Sequence, residues 1–131
     1  MSEENVQPVR RTYEAGNQGD HDALVSFFRP EIEFHAYPRS PERVYHGKQA
    51  VREYIENVWE QFERVRVEVD ELLDAGDQVV VLTTQHPVPK RGQQEMTAHL
   101  AEVYTIRDGL LAERRPYSTR NEALEAAGLS E

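Results

Sequence analysis

The chain has no cysteine. That excludes a disulfide scaffold and a thiolate metal site and suits a reducing compartment, so a cytoplasmic location is expected. No apolar run approaches the roughly 20 residues needed to span a bilayer, and the acidic start MSEENVQPVRR lacks the apolar core of a signal peptide. No membrane partner is therefore expected. Basic residues are in the minority, with 15 Lys and Arg against 24 Asp and Glu and a formal charge of −9. This balance argues against nucleic acid or an anionic surface as partner, and solubility is its simplest reading. No Gly-rich phosphate loop, serine nucleophile elbow or cofactor fingerprint occurs. His21, His35, His46, His86 and His99 show no H-x-H or H-x-x-x-H spacing, so neither a metal nor an organic cofactor is expected. With no Gly/Pro-rich divide, residues 1–131 read as one domain, long enough to bury roughly two-thirds of its unfolded surface.

What is present is organised around residues 96–120, MTAHLAEVYTIRDGLLAERRPYSTR. Asp108-Gly109 between apolar runs is a strong hairpin signal, because both residues tolerate the positive φ of a tight primed turn. A period of two puts Met96, Ala98, Leu100, Glu102 and Tyr104 on one face of the first strand. Glu102 thus sits among apolar neighbours, where a carboxylate needs a partner or a purpose. Beyond the return strand, Thr119 and Glu122 form a T-x-x-E capping box ahead of ALEAAGL, and Gly128 stops that helix.

Earlier in the chain, Val6, Val9, Tyr13 and Gly16 recur at helical spacing over residues 2–18, with Pro8 in the first turns. Asp20 caps a short helix, HDALVSFF, closed by Pro30. EIEFHAY alternates Ile32, Phe34 and Ala36 against Glu33, His35 and Tyr37, a half-buried strand. PRSPERVYHG reads as a loop. The longest helix is expected over 48–63, with Val51, Tyr54, Ile55, Val58, Trp59 and Phe62 as its apolar stripe. RVRVEVDEL, with Val65, Val67 and Val69 on one face, and DQVVVLTTQHPV, after a turn at Ala75-Gly76, supply further strands. PKRGQQ joins the second of these to the organising strand. Helices followed by a run of strands with short turns indicate an α+β fold with a curved antiparallel sheet.

These features in this order, a first helix ending in GNQGD, then DALVSFF, EIEFHA, YHGKQAVREYI, VYTIRDGLLAE and NEALEAAGL, resemble the SnoaL-like polyketide cyclases. Those belong to the nuclear transport factor two-like superfamily, related to ketosteroid isomerase. The resemblance implies a cone-shaped curved antiparallel β-sheet wrapped around a long helix, with N-terminal helices and an apolar pocket at one end. It implies homodimers through the outer sheet face and a small hydrophobic ligand. It implies cofactor-free acid–base chemistry, namely cyclisation, isomerisation or dehydration of a hydrophobic carbonyl compound. The alternatives are a binding protein for a lipophilic metabolite and a dimerising interaction module. The isomerase's pocket acid matches Glu102. Its general-base position falls on Ala36, its tyrosine donor on Thr12 beside Tyr13, and the aspartate many relatives carry before the last helix on Thr119.

The candidate catalytic residues are therefore Glu102, His35 and Tyr13, and the candidate pocket residues are Phe34, Tyr54, Trp59, Tyr104 and Arg114. Desolvation would keep Glu102 neutral and make it a hydrogen-bond donor. An ion pair with Arg114 or Arg115 across the hairpin is the alternative. Those two arginines point to opposite faces of their strand. His35 enters the pocket as a base only if a bulge shifts its strand by one residue.

Overall fold

The computed structural model describes residues 2–90 and 97–129. Two helices lead, α1 (Ser2–Asn17) and α2 (His21–Ser26), followed by strand β1 (Phe28–His35). After a short 3-10 turn at Pro41–Arg43 come β2 (Val44–His46) and α3 (Lys48–Trp59). Four strands and a helix complete the chain: β3 (Phe62–Ala75), β4 (Gln78–Pro89), β5 (Ala98–Arg107), β6 (Leu110–Tyr117) and α4 (Arg120–Ala126). The expected Met96 and most of the PKRGQQ connection lie outside the described residues.

The six strands form one sheet in the order β2-β1-β6-β5-β4-β3. Neighbours are antiparallel except β1 and β6, which run parallel, so the sheet is mixed rather than wholly antiparallel. A parallel pair needs a long crossover, and every element between β1 and β6 serves as one. The sheet curls so far that α3 touches β1 and β2 at one edge and β3 at the other. That closure makes the cone. α1 lies along β3 inside the curl and also meets β4 and β6. Its last residue, Asn17, pins it to the edge strand: the amide donates to the Val67 carbonyl (2.8 Å) and accepts from the Val67 N–H (2.7 Å). A side chain thus satisfies backbone groups that an open edge would expose.

Several expected boundaries move. α3 stops at Trp59 and Phe62 already belongs to β3, so the helix is shorter than 48–63 and α1 is the longest. Helical period cannot separate a last turn from an apolar strand start, and Phe62 fits both. The short second helix ends at Ser26 rather than at Pro30, which lies within β1. Val44–His46 is an edge strand, not loop. Pro8 lies in the early turns of α1 as expected, but past the first turn, where an N–H would already bond within the helix. The missing N–H leaves the carbonyl of exposed Glu4 without its helical donor, and solvent can take its place.

The other local signals behave as their chemistry requires. Asp108 and Gly109 have φ of 54° and 76°, the pair of positive values that a primed turn needs. Asp20 Oδ1 accepts from the Ala23 N–H (3.0 Å) at the start of α2. Thr119 Oγ1 accepts from the Glu122 N–H (3.1 Å), while the Glu122 carboxylate turns to the Ser118 N–H and hydroxyl. One apolar cluster, with Val9, Ile32, Phe34, Val51 and Leu111, fills the inside of the curl. A smaller one, with Val80, Ala101 and Val103, lies on the outer face beneath Ala123 and Leu124 of α4.

Candidate functional site

Inside the cone lies a cavity of about 340 Å³, within the range of small-molecule sites. Apolar side chains form most of its wall, among them Leu24, Phe28, Phe34, Ile55, Val58 and Leu100. Trp59 packs onto α1 at Gly16, where a Cβ would sit 3.1 Å from both the indole and Leu24. Tyr54 stacks at a tilt on Phe34, with centroids 5.8 Å apart.

The polar groups of the wall converge on Glu102. Alternation along β5 turns Leu100, Glu102 and Tyr104 inward, and the register sets Tyr104 opposite Arg114 of β6. Tyr13 arrives from α1. The result is a buried cluster in which Glu102 is 1% and Arg114 7% exposed. Glu102 Oε1 accepts from the Tyr13 hydroxyl at short range, from Tyr104 (3.0 Å) and from Arg114 Nε (3.2 Å). Its Oε2 accepts from Thr83 (3.4 Å). The two phenolic oxygens are themselves 2.8 Å apart. Arg114 also donates through Nη1 to the His35 carbonyl (2.7 Å), and its guanidinium lies 4.6 Å over the Phe34 ring.

The electrostatics follow from burial. Desolvation, then the neighbouring Glu102 charge, raises the Tyr13 and Tyr104 pKa values well above the usual phenol range. Burial pulls Arg114 down, but Glu102 and the two tyrosines more than offset it and leave Arg114 raised. Both phenols therefore keep their protons and donate, and Glu102 accepts. This arrangement differs from the lone neutral donor expected at Glu102; the ion pair with the return strand is what the geometry contains. A carboxylate oxygen has about two lone-pair sites. Oε1 faces three donors, so one can be turned to another acceptor without leaving the carboxylate oxygen bare.

Of the residues singled out from sequence, Glu102, Tyr13, Phe34, Tyr54, Trp59, Tyr104 and Arg114 all line the cavity. His35 does not. Phe34 keeps the inward position, and His35 turns to the outer face, where Nε2 lies 2.7 Å from Glu33. The bulge that would bring it inside is absent at this point of β1. Arg115 likewise faces outward and pairs with Glu113 (3.1 Å). Thr12 is turned away from Glu102 and donates to the Leu24 carbonyl (2.9 Å), so Tyr13 occupies the donor's place. Ala36 is fully buried. Thr83, Gln85 and His99 also border the site. Only Thr83 left a trace in the sequence, as a polar residue in step with Val79 and Val81.

Comparison with solved structures gives the fold independently. A nuclear transport factor two-like protein of unknown function from Burkholderia pseudomallei superposes with a TM-score of 0.77 at 21% identity, covering 93% of this chain and 95% of that one. TerC, crystallised with polyporic acid, superposes with 0.76 at 21% identity over 95% and 98%. A protein of ketosteroid isomerase-like fold from Catenulispora acidiphila, in complex with trimethylamine, gives 0.75 at 16% identity over 93% and 92%. Among curated proteins none matches by sequence. The model of the SnoaL-like domain matches residues 9–114, and the chain belongs to that family.

Proposed function

We propose that the cavity takes a flat apolar compound carrying a carbonyl or phenolic oxygen and acts on it by acid–base chemistry without a cofactor. The observation that carries this reading is the surplus of donors on Glu102 Oε1 at the wall of an apolar cavity. A ligand oxygen entering beside Tyr13 takes that hydroxyl as its donor, while Tyr104 and Arg114 still hold the carboxylate. Glu102 then stands as proton acceptor for the adjacent carbon or hydroxyl, and the phenol stabilises the developing oxyanion. Cyclisation, isomerisation and dehydration of a carbonyl compound all need this pair of roles. Proteins of this fold have been crystallised with small organic molecules, TerC with polyporic acid and the Catenulispora protein with trimethylamine, which supports such a ligand here. In this reading the protein acts in the cytoplasm as a homodimer. Among the described residues no helix is long and apolar enough to cross a membrane.

The test is turnover across a panel of ketones and polyphenols. Glu102→Gln is expected to abolish turnover while ligand still raises the melting temperature, and Tyr13→Phe to lower turnover by about 10²–10³-fold, as for loss of an oxyanion donor. Unchanged turnover in Glu102→Gln would remove that residue from the mechanism.

A binding protein without catalysis is the second reading. Ala36, small and buried, stands where the resemblance expects a base, and Glu102 already accepts from four donors. Thermal stabilisation by a ligand that is recovered unchanged from every member of the panel would favour it.

A further inference from the structure

On the outer face of the sheet, away from the cavity, a second cluster collects groups that bind metals. We propose that Glu33, His35 and Glu113 form a site for a divalent transition metal of the Zn²⁺ class, with His46 or water completing it. The argument starts from strand register. Glu33 of β1 pairs with Glu113 of the parallel neighbour β6 and with His46 of the antiparallel neighbour β2. Paired residues share a face, so two carboxylates are set against each other on adjacent strands with an imidazole on the far side. Like charges so placed repel and call for a cation between them. His35, two residues along β1 from Glu33, adds its ring from the same face.

The distances suit a metal after small side-chain rotations. One donor atom from each of Glu33, His35 and Glu113 falls within 4.8 Å of the others. His35 Nε2 is 2.7 Å from Glu33 Oε2 and 3.9 Å from Glu113 Oε2. In a tetrahedral zinc site with bonds of about 2.0–2.1 Å, neighbouring donor atoms lie about 3.4 Å apart. The two spacings bracket that value. The three side chains are half-buried, open enough for an ion to enter and sheltered enough to hold it. Arg115 is the competitor on Glu113 Oε2 at 3.1 Å; its side chain is 42% exposed and can swing into solvent. Thr105 reaches the other oxygen, Oε1. An imidazole among carboxylates selects zinc-like ions over Mg²⁺ and Ca²⁺, which prefer oxygen alone.

Titration of the full chain with Zn²⁺ in a calorimeter, followed by thermal melting, tests the site. One saturable equivalent and a raised melting temperature are expected, with no displacement by excess Mg²⁺. His35→Asn and Glu113→Gln should each weaken binding at least about tenfold, since even a second-shell partner is worth that much. His86→Asn, removing another half-buried histidine that pairs with a glutamate (Glu68, 3.1 Å), should leave it unchanged. If His35→Asn does not fold, Glu113→Gln decides alone, because the amide keeps an oxygen for Thr105. The proposal is overturned by failure to saturate, or by binding that ignores these two variants or falls equally in His86→Asn.

Discussion

Arg114 and Arg115 are consecutive on one strand and end in different solvents. Arg114 turns inward to Glu102, where tyrosine hydroxyls and Phe34 replace water. Arg115 turns outward to Glu113, within reach of His35 and Glu33. Each region pairs carboxylate with cation, but only the inner one has lost its solvent. Removing one partner of a buried pair strands the other charge and costs about 3–5 kcal/mol, while an exposed pair is worth about 0–1 kcal/mol. The inner cluster is therefore held rigidly by its own chemistry, as a site that must orient a ligand requires. The outer one can rearrange cheaply, as a site that must admit an ion requires.

The sharpest way to break this comparison is to treat the two arginines alike. Arg114→Met should lower the unfolding free energy by about 3–5 kcal/mol and Arg115→Met by less than about 1 kcal/mol, measured by urea denaturation. Equal losses would mean that the inner pair is as solvated as the outer. The double variant Glu102→Leu with Arg114→Met should recover most of the loss, because the stranded carboxylate goes too.

Next in size is the response to alkali. Tyr13 and Tyr104, two of the six tyrosines, have folded-state pKa values raised above the usual 10.0, first by burial and then by Glu102. A raised folded value means that the unfolded chain gives up these protons first. The stability they supply is present below pH 10 and is lost as pH rises from there toward the folded values. Absorbance titration should show at least two phenols that ionise only when the protein unfolds. Tyr13→Phe should cost about 1.5–3 kcal/mol at neutral pH, as for a bond to a charged acceptor. If all the tyrosines titrate near pH 10 with the fold intact, the inner cluster is wet.

How much of this was legible in the chain depends on what fixes each residue's direction. The Asp108-Gly109 turn, the Thr119 cap and the alternation that buries Glu102 are local, and the sequence carries them. Which arginine turns inward is not local. Between Thr105 and Ile106 the register of β5 against β6 shifts by one. Continued without that shift, the pairing of Arg107 with Leu110 would set Arg115 rather than Pro116 opposite Glu102, and so turn Arg115 rather than Arg114 inward. A bulge at Ala112, with no glycine to announce it, decides the composition of the site. The outer cluster is hidden for a similar reason. Glu33 and His35 are two apart, but Glu113 and His46 reach them through strand pairings, one of them the parallel contact of β1 with β6. No spacing rule along a single segment could collect them. Helical spacing puts Tyr13 on the inner stripe of the first helix, and the family resemblance puts the donor position beside it at Thr12; the helix rotation that gives Tyr13 the reach is a matter of packing.

The smallest expected effect bears on the outer cluster and reads its sign. The hydrogen bond from His35 holds the Glu33 carboxyl below its usual 4.5, against a small opposing effect of burial. A depressed folded value gives stability that is present above pH 4.5 and disappears as pH falls through the folded value. The Glu33 side chain is 39% exposed, so solvent screens the bond and the repulsion from Glu113 subtracts from it. In metal-free buffer Glu33→Gln should therefore cost less than about 1 kcal/mol at pH 7. The gap between variant and wild type should close on acidification below pH 4.5, followed by urea denaturation at a series of pH values. A gap that widened there would give the outer cluster the energetics assigned to the inner one, and the contrast between the two faces would not stand.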